Sequence, residues 1–257
     1  MVITADHFYV VAHEPGAEHP ALPTWASHSA NPAGLSSQAS GTVRRVDIPE
    51  VPGAYQLLNV LSIDECQTLI EASEAMGFLP DAAVSLPRHI RHNDNLVWVV
   101  DDETERTIWN RVSAQVQLDC HRYGDAAALG LNARFRFYRY STGDYFNPHS
   151  DGAWPGSRVI DRHLITNAYP DRYSQATFLI FLTEHYLGGA TRFLVNANDP
   201  ALPARQGDSI REVDIRTPAG GVLCFPHGHH PQHCIHSSEP IKEGIKYIIR
   251  TDTLYAL

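Results

Sequence analysis

The stretch Arg134-Phe-Arg-Phe-Tyr-Arg-Tyr140-Ser-Thr-Gly143-Asp-Tyr145-Phe-Asn-Pro-His149-Ser-Asp151 decides how the rest of the chain is read. Its first seven residues are rich in aromatics, which suits a pleated, half-buried surface. Successive side chains of a strand point to opposite faces, so Phe135 and Phe137 share one face and Tyr138 and Tyr140 the other. The same periodicity puts His149 and Asp151 on one side of an extended backbone, where both can reach one metal ion. A lone His-x-Asp is common by chance, so its weight depends on what accompanies it.

Downstream, short strand signals follow one another. Thr177 to Thr183 is an apolar run suited to a strand buried on both faces. Gly188-Gly189 turns into Ala190 to Val195, and Pro218 to Gly221 turns into Val222 to Phe225. Ile235 and the run Ile245 to Arg250 supply the last strands. Residues 152–174 and 196–211 read as long irregular stretches, a length typical of lids and binding loops. Upstream, Ser62 and Glu65 form a capping box for a helix with Cys66, Leu69, Ile70 and Ser73 on one face, ended by Gly77. Ile108, Val112, Val116 and Cys120 recur every four residues and predict a second helix from Thr104 to about His121. Two helices followed by many short strands predict a mainly β fold with supporting helices, an antiparallel barrel or jelly roll.

Residues 1–53 are expected to form an irregular lead-in, since 13–53 are rich in Pro, Gly, Ser and Ala. Residues 54–257 are expected to form a single domain, with 54–130 as helical support and 131–257 as the β core. The 257 residues suffice for one substantial core. Lys and Arg number 20 against 29 Asp and Glu, a formal charge of −9, which argues against nucleic acid as a partner. No apolar run is long enough to span a bilayer, and no basic stretch with an apolar core marks a secretory signal. The expectation is a cytoplasmic protein without a membrane partner. Cys66, Cys120, Cys224 and Cys234 lack close paired spacing and read as reduced thiols.

His236 follows a short strand signal and precedes a turn at Glu239-Pro240, with Gly244 and Lys246 beyond. Two histidines and one carboxylate occupy one face of an octahedral iron and leave three positions open. Lys246, on the next strand, suits the remote carboxylate of a dicarboxylate cosubstrate. Arg250 lies on the same strand face and competes for that role. Without the metal ligands, Lys246 and Arg250 would read as a solvated edge strand.

From Arg136 to Asp252 the chain resembles the prolyl 4-hydroxylase-like branch of the 2-oxoglutarate and iron(II) oxygenases. The resemblance rests on the Tyr140–Asp151 stretch, on Phe181-Leu-Thr, and on Gly188-Gly-Ala-Thr191-Arg-Phe193. It continues through Pro218-Ala-Gly-Gly-Val-Leu-Cys-Phe225 and His236-Ser-Ser-Glu-Pro240-Ile-Lys-Glu-Gly244-Ile-Lys246. It implies a double-stranded β-helix, a cupin-like jelly roll, with Fe(II) held by His149, Asp151 and His236. It further implies 2-oxoglutarate anchored by Lys246, whose ten-residue offset from His236 is usual in the family, with Tyr140 or Tyr138 and Thr191 lining the pocket. The implied reaction uses O2, with ascorbate as an accessory reductant, to hydroxylate an unactivated C–H bond and release succinate and CO2. The implied substrate is a small molecule or a prolyl or short peptide; oligomeric state stays open. Asp151 favours hydroxylation over halogenation, and Phe181 stands where some relatives carry a cosubstrate-binding tyrosine.

Other readings stand beside these. A non-catalytic metal-binding jelly roll, acting as a sensing or binding module, is the alternative to an enzyme. His227, His229, His230 and His233 read as a solvated histidine-rich loop, with His233 the fallback third ligand. His121, His163 and His185 read as surface or packing residues. Arg136 and Arg139 read as entrance residues or exposed charges, and Trp154 and Arg158 as candidate substrate contacts.

Overall fold

The computed structural model describes residues 3–82, 87 and 89–257. Two sheets face each other. The larger has ten strands, ordered Phe8–Glu14, Leu22–Ser27, Asp94–Val99, Arg134–Tyr140, Lys246–Ala256, Arg172–Phe181, Val222–Pro226, Tyr55–Leu58 and Arg44–Asp47, with Ala128–Leu131 pairing alongside Lys246–Ala256. The smaller has five, ordered Ile210–Ile215, Thr191–Asn196, Ile235–Ser238, Tyr145–Ser150 and Arg91–His92. Pairing is antiparallel except between Leu22–Ser27 and Asp94–Val99. This is the double-stranded β-helix, a jelly roll with helical support.

The alternation of side chains divides the larger sheet between two cores. Phe135, Phe137, Phe178, Ile180 and Ile249 point outward to pack on helix α1 (Ile63–Met76) and helix α2 (Asp102–Val116). Tyr138, Tyr140, Leu179, Phe181 and Ile248 point inward, toward Phe146 and Phe193 of the smaller sheet. The inner face of Lys246–Ala256 therefore carries Lys246 and Arg250 into the space between the sheets.

Helix α1 starts as its sequence predicts. Ser62 Oγ accepts the Glu65 N–H at 3.1 Å, and the Glu65 carboxylate accepts the Ser62 N–H at 2.9 Å. Gly77, at φ 91°, ends it in a conformation few other residues adopt. Helix α2 starts at Asp102, capped by Asp101, and gives way at Gln117 to 3-10 turns through Tyr123.

Three expectations need correction. Residues 1–53 are not an irregular lead-in: Phe8–Glu14, Leu22–Ser27 and Arg44–Asp47 extend both ends of the large sheet. In Leu22–Ser27 every second residue is buried, an alternation masked in sequence by the surrounding Pro and Ser. Phe8 meets the fully buried Trp98 edge-on, with ring centroids 5.2 Å apart. Residues 54–130 contribute four strands as well as helices. Residues 152–174 contain a hairpin, Arg158–Ile160 with His163–Ile165, and the edge strand Ile210–Ile215 begins inside the expected second loop. These strands are short or lack a buried apolar face, so composition alone did not reveal them. Among the described residues no helix is long and apolar enough to cross a membrane.

Candidate metal and cosubstrate site

His149 and His236 sit directly opposite each other on neighbouring strands of the smaller sheet, and Phe193 pairs with His236 on its other side. Register thus brings together two residues 87 positions apart in sequence (236 minus 149). The His149 ring stacks on Phe146 with centroids 3.6 Å apart, while Phe225 meets His236 edge-on at 4.6 Å. These aromatic contacts fix the imidazole planes.

Hydrogen bonds fix the tautomers. His149 Nδ1 lies 2.8 Å from the Asn147 carbonyl and His236 Nδ1 lies 3.3 Å from the Cys234 carbonyl. A carbonyl only accepts, so Nδ1 carries the proton in both rings and Nε2 turns its lone pair inward. Asp151 completes the group: its Oδ1 is 3.8 Å from His149 Nε2 and its Oδ2 is 3.7 Å from His236 Nε2. One ligand atom from each of the three residues falls within 4.8 Å of the others. Burial, with His236 adding to it, pushes the His149 imidazole down to about 3, and burial also lowers His236. Both rings are therefore neutral near pH 7, the form that binds a metal. Burial alone would raise the Asp151 carboxyl, but Arg250 and the neighbouring histidines hold it far below the usual carboxylate range. Two neutral imidazoles and one carboxylate match the donor set of an iron(II) centre with open positions.

A cavity adjoins this group. Its wall includes all three candidate ligands together with Tyr138, Tyr140, Thr191, Lys246 and Arg250. Lys246 is completely buried; its Nζ donates to the Gly189 carbonyl at 2.8 Å and to Ser238 Oγ at 3.0 Å. It lies 5.2 Å from the Tyr140 ring centroid and 5.6 Å from that of Phe181. No carboxylate of the described residues pairs with it. Burial, helped slightly by Arg216, pushes its ammonium down to about 7. Arg250 is in the opposite condition. Its Nε is 3.3 Å from Asp151 Oδ2 and its Nη2 is 3.0 Å from Asp252 Oδ1. Burial opposes its charge, yet the two aspartates hold the guanidinium above its ordinary range. Of the two cations, Lys246 is the one without a carboxylate partner among the described residues.

The remaining candidates fall elsewhere. His233 is hydrogen-bonded to the His230 carbonyl and is outside the ligand group. His121, His163 and His185 are exposed. Arg139 pairs with Glu74 and Asp94, away from the cavity wall, while Arg136 is buried 3.7 Å from Asp252. Arg158 pairs with Asp102 and lies over Tyr169, and the Trp154 ring lies 5.6 Å from the Arg136 guanidinium. His227 corrects the loop reading: it is 1% exposed, and its Nδ1 is 2.9 Å from Thr177 Oγ1. His230 too is buried, its Nε2 2.9 Å from the Arg122 carbonyl. Sequence reasoning missed Thr177, His227, Asp252 and Ser238. Only Ser238 carried a local signal, since it shares a strand face with His236.

The fold has counterparts among solved structures. It is similar to a prolyl hydroxylase from Trichoplax adhaerens solved with a hypoxia inducible factor oxygen degradation domain peptide fragment. That match has a TM-score of 0.51 at 17% identity, over 80% of this chain and 83% of that one. A Pseudomonas putida prolyl-4-hydroxylase aligns with a TM-score of 0.49 at 17% identity, over 78% of this chain and 91% of that one. The viral collagen prolyl hydroxylase of Paramecium Bursaria Chlorella virus-1, in its 2OG complex, aligns with a TM-score of 0.46 at 18% identity, over 85% and 98%. No family model and no curated protein matches the sequence.

Proposed function

We propose that this chain is an Fe(II)- and 2-oxoglutarate-dependent dioxygenase that hydroxylates an unactivated C–H bond of a small molecule or short peptide. The observation that carries this reading is a pairing within one cavity. A His149, Asp151 and His236 group stands at one part of the wall, and the buried, carboxylate-free Lys246 stands at another. A buried cation without a counter-ion is costly, and a dicarboxylate would relieve that cost.

In this reading His149 and His236 hold iron(II) through Nε2 and Asp151 holds it through a carboxylate oxygen. When bound, the metal supplies oxygen activation coupled to decarboxylation of 2-oxoglutarate to succinate and CO2. The protein's part is binding and orientation. Lys246 fixes the far carboxylate of the cosubstrate, and the rings of Tyr140 and Phe181 exclude water around it. Thr191, 3% exposed and paired in register with Ser238, adds a small polar group to the wall. Neutral histidines keep their lone pairs on the metal at working pH. O2 is the co-reactant.

Anaerobic addition of iron(II) and 2-oxoglutarate tests the proposal. The expected result is a weak visible charge-transfer band that disappears in His149→Ala and demands far more cosubstrate in Lys246→Ala. Folded, iron-loaded wild type without that band would overturn the cosubstrate assignment and leave a metal-binding module.

A further inference from the structure

Asp151 is gripped from behind by residues that come from two other strands and a loop. Thr177, fully buried on the Arg172–Phe181 strand, has its Oγ1 2.7 Å from Asp151 Oδ2. A carboxylate only accepts, so the single hydroxyl proton of Thr177 points at Asp151. The same Oγ1 lies 2.9 Å from His227 Nδ1, and with its proton committed it must accept there. His227 Nδ1 therefore carries a hydrogen. On the other edge of the ring, Nε2 is 3.1 Å from Ser174 Oγ, which in turn accepts the Trp154 N–H at 2.7 Å. Ser174, Thr177 and His227 are each 1% exposed or less, so water does not compete for these bonds.

We infer that His227 is a positioning residue for the metal centre: it commits the Thr177 hydroxyl to Asp151 Oδ2, so that Oδ1 alone is offered to the metal. This rests on the metal-centre reading above. The consequence is coordination by one oxygen rather than two. Thr177 already donates to Oδ2, and the Arg250 Nε faces it as an ion pair at 3.3 Å. A carboxylate free to turn would bind through both oxygens and fill one of the positions that chemistry needs open. His227 achieves this without touching Asp151, and it comes from the histidine-rich segment that looks solvated in sequence.

The test compares two amides of similar polarity at position 227, using Co(II) as probe on the full chain without cosubstrate. In His227→Asn the amide nitrogen can replace the Nδ1 donor, whereas in His227→Gln it falls nearer the position of Nε2. Expected is a Co(II) dissociation constant within about threefold of wild type for Asn and about tenfold or more weaker for Gln, the range seen for outer-shell partners. The visible Co(II) spectrum should change in Gln and stay unchanged in Asn. Thr177→Val should weaken Co(II) binding as much as His227→Gln, and the double variant no further, because both cut one chain. Melting of the metal-free forms separates the alternatives: a merely structural role would lower the melting temperature and leave the dissociation constant and spectrum unmoved. That result, or multiplying effects in the double variant, overturns the inference. Wild type that binds no Co(II) would instead overturn the metal-centre reading.

Discussion

The two polar parts of the cavity wall differ in how far the protein satisfies its own charges. At the metal group, Asp151 faces Arg250 and Thr177, and both histidines spend one nitrogen on a backbone carbonyl. At the other part, Lys246 donates to a carbonyl and a hydroxyl beside two aromatic rings and has no carboxylate partner among the described residues. Buried charges are normally paired. The difference separates a region whose charges are paired within the protein from one whose cation has no carboxylate partner among the described residues. It also predicts that the two regions respond to substitution with opposite signs of stability.

Loss of a metal ligand should have the largest effect. Asp151→Ala or His236→Ala should weaken metal binding by more than about a hundredfold, beyond what outer-shell changes cost, and abolish succinate release. Isothermal titration with Mn(II) measures the first and product analysis the second. Asp151→Ala also takes one of two carboxylates from Arg250 and leaves Asp252 to hold it, so the metal-free chain should lose less than the about 3–5 kcal/mol that a fully unpaired buried charge costs. Metal affinity equal to wild type in either variant would break the comparison at its stronger end.

Lys246 comes next, and here the signs divide. Lys246→Met should weaken 2-oxoglutarate binding by about a hundredfold, as removal of one partner of a buried charged pair does. The same substitution should stabilise the ligand-free chain by a few kcal/mol, because it removes an uncompensated buried charge. The pH dependence follows from the ammonium being held at about 7 instead of 10.5. Below about pH 7 the group is charged in both the folded and unfolded chains, and the burial penalty is complete. Between there and 10.5 the folded chain has shed a proton that the unfolded chain keeps, so wild-type stability rises with pH. The advantage of Lys246→Met in denaturant melts should therefore be greatest below pH 7 and shrink as pH rises. Cosubstrate affinity should be flat below about 7 and fall up to about tenfold per pH unit above it, since a carboxylate binds the charged form. A pH-independent dissociation constant up to pH 9 would show that Lys246 is not the anchor.

Arg250 sharpens the contrast between paired and unpaired cations. If Asp151 and Asp252 already occupy its guanidinium, Arg250→Gln should change 2-oxoglutarate affinity by less than about tenfold, while metal affinity falls more. A larger loss of cosubstrate than of metal would assign the carboxylate role to Arg250.

What the sequence revealed follows the range of its signals. The candidate ligand pair His149 and Asp151 is local, and strand periodicity alone puts both on one face. Tyr138, Tyr140, Lys246 and Arg250 are inward for the same reason, and all line one cavity. Helix α1 was legible at both ends because capping chemistry is written in adjacent residues. The edges of the sheet were not legible, since Phe8–Glu14 and Ile210–Ile215 present largely solvated faces with no long apolar run. The chain from His227 through Thr177 to Asp151 was hidden for another reason. It crosses three segments whose proximity depends on register, and no composition rule marks a buried histidine within a histidine-rich loop.

Tyr140 makes the smallest predicted difference and tests the unsatisfied region most selectively. Its ring is 1% exposed and packs beside Lys246, yet its hydroxyl makes no hydrogen bond among the described residues and the side chain lines the cavity. A phenol that served the fold would bond within the protein, as buried tyrosines usually do. Tyr140→Phe should therefore leave the melting temperature of the ligand-free chain unchanged. If the hydroxyl donates to a bound carboxylate, the same variant should weaken 2-oxoglutarate by about three- to tenfold, the scale of a single hydrogen bond. In Lys246→Met, where the carboxylate loses its fixed position, removal of the Tyr140 hydroxyl should cost less than it does in wild type. Equal losses in the two backgrounds would mean that Tyr140 and Lys246 bind different groups, and the single dicarboxylate pocket would have to be divided.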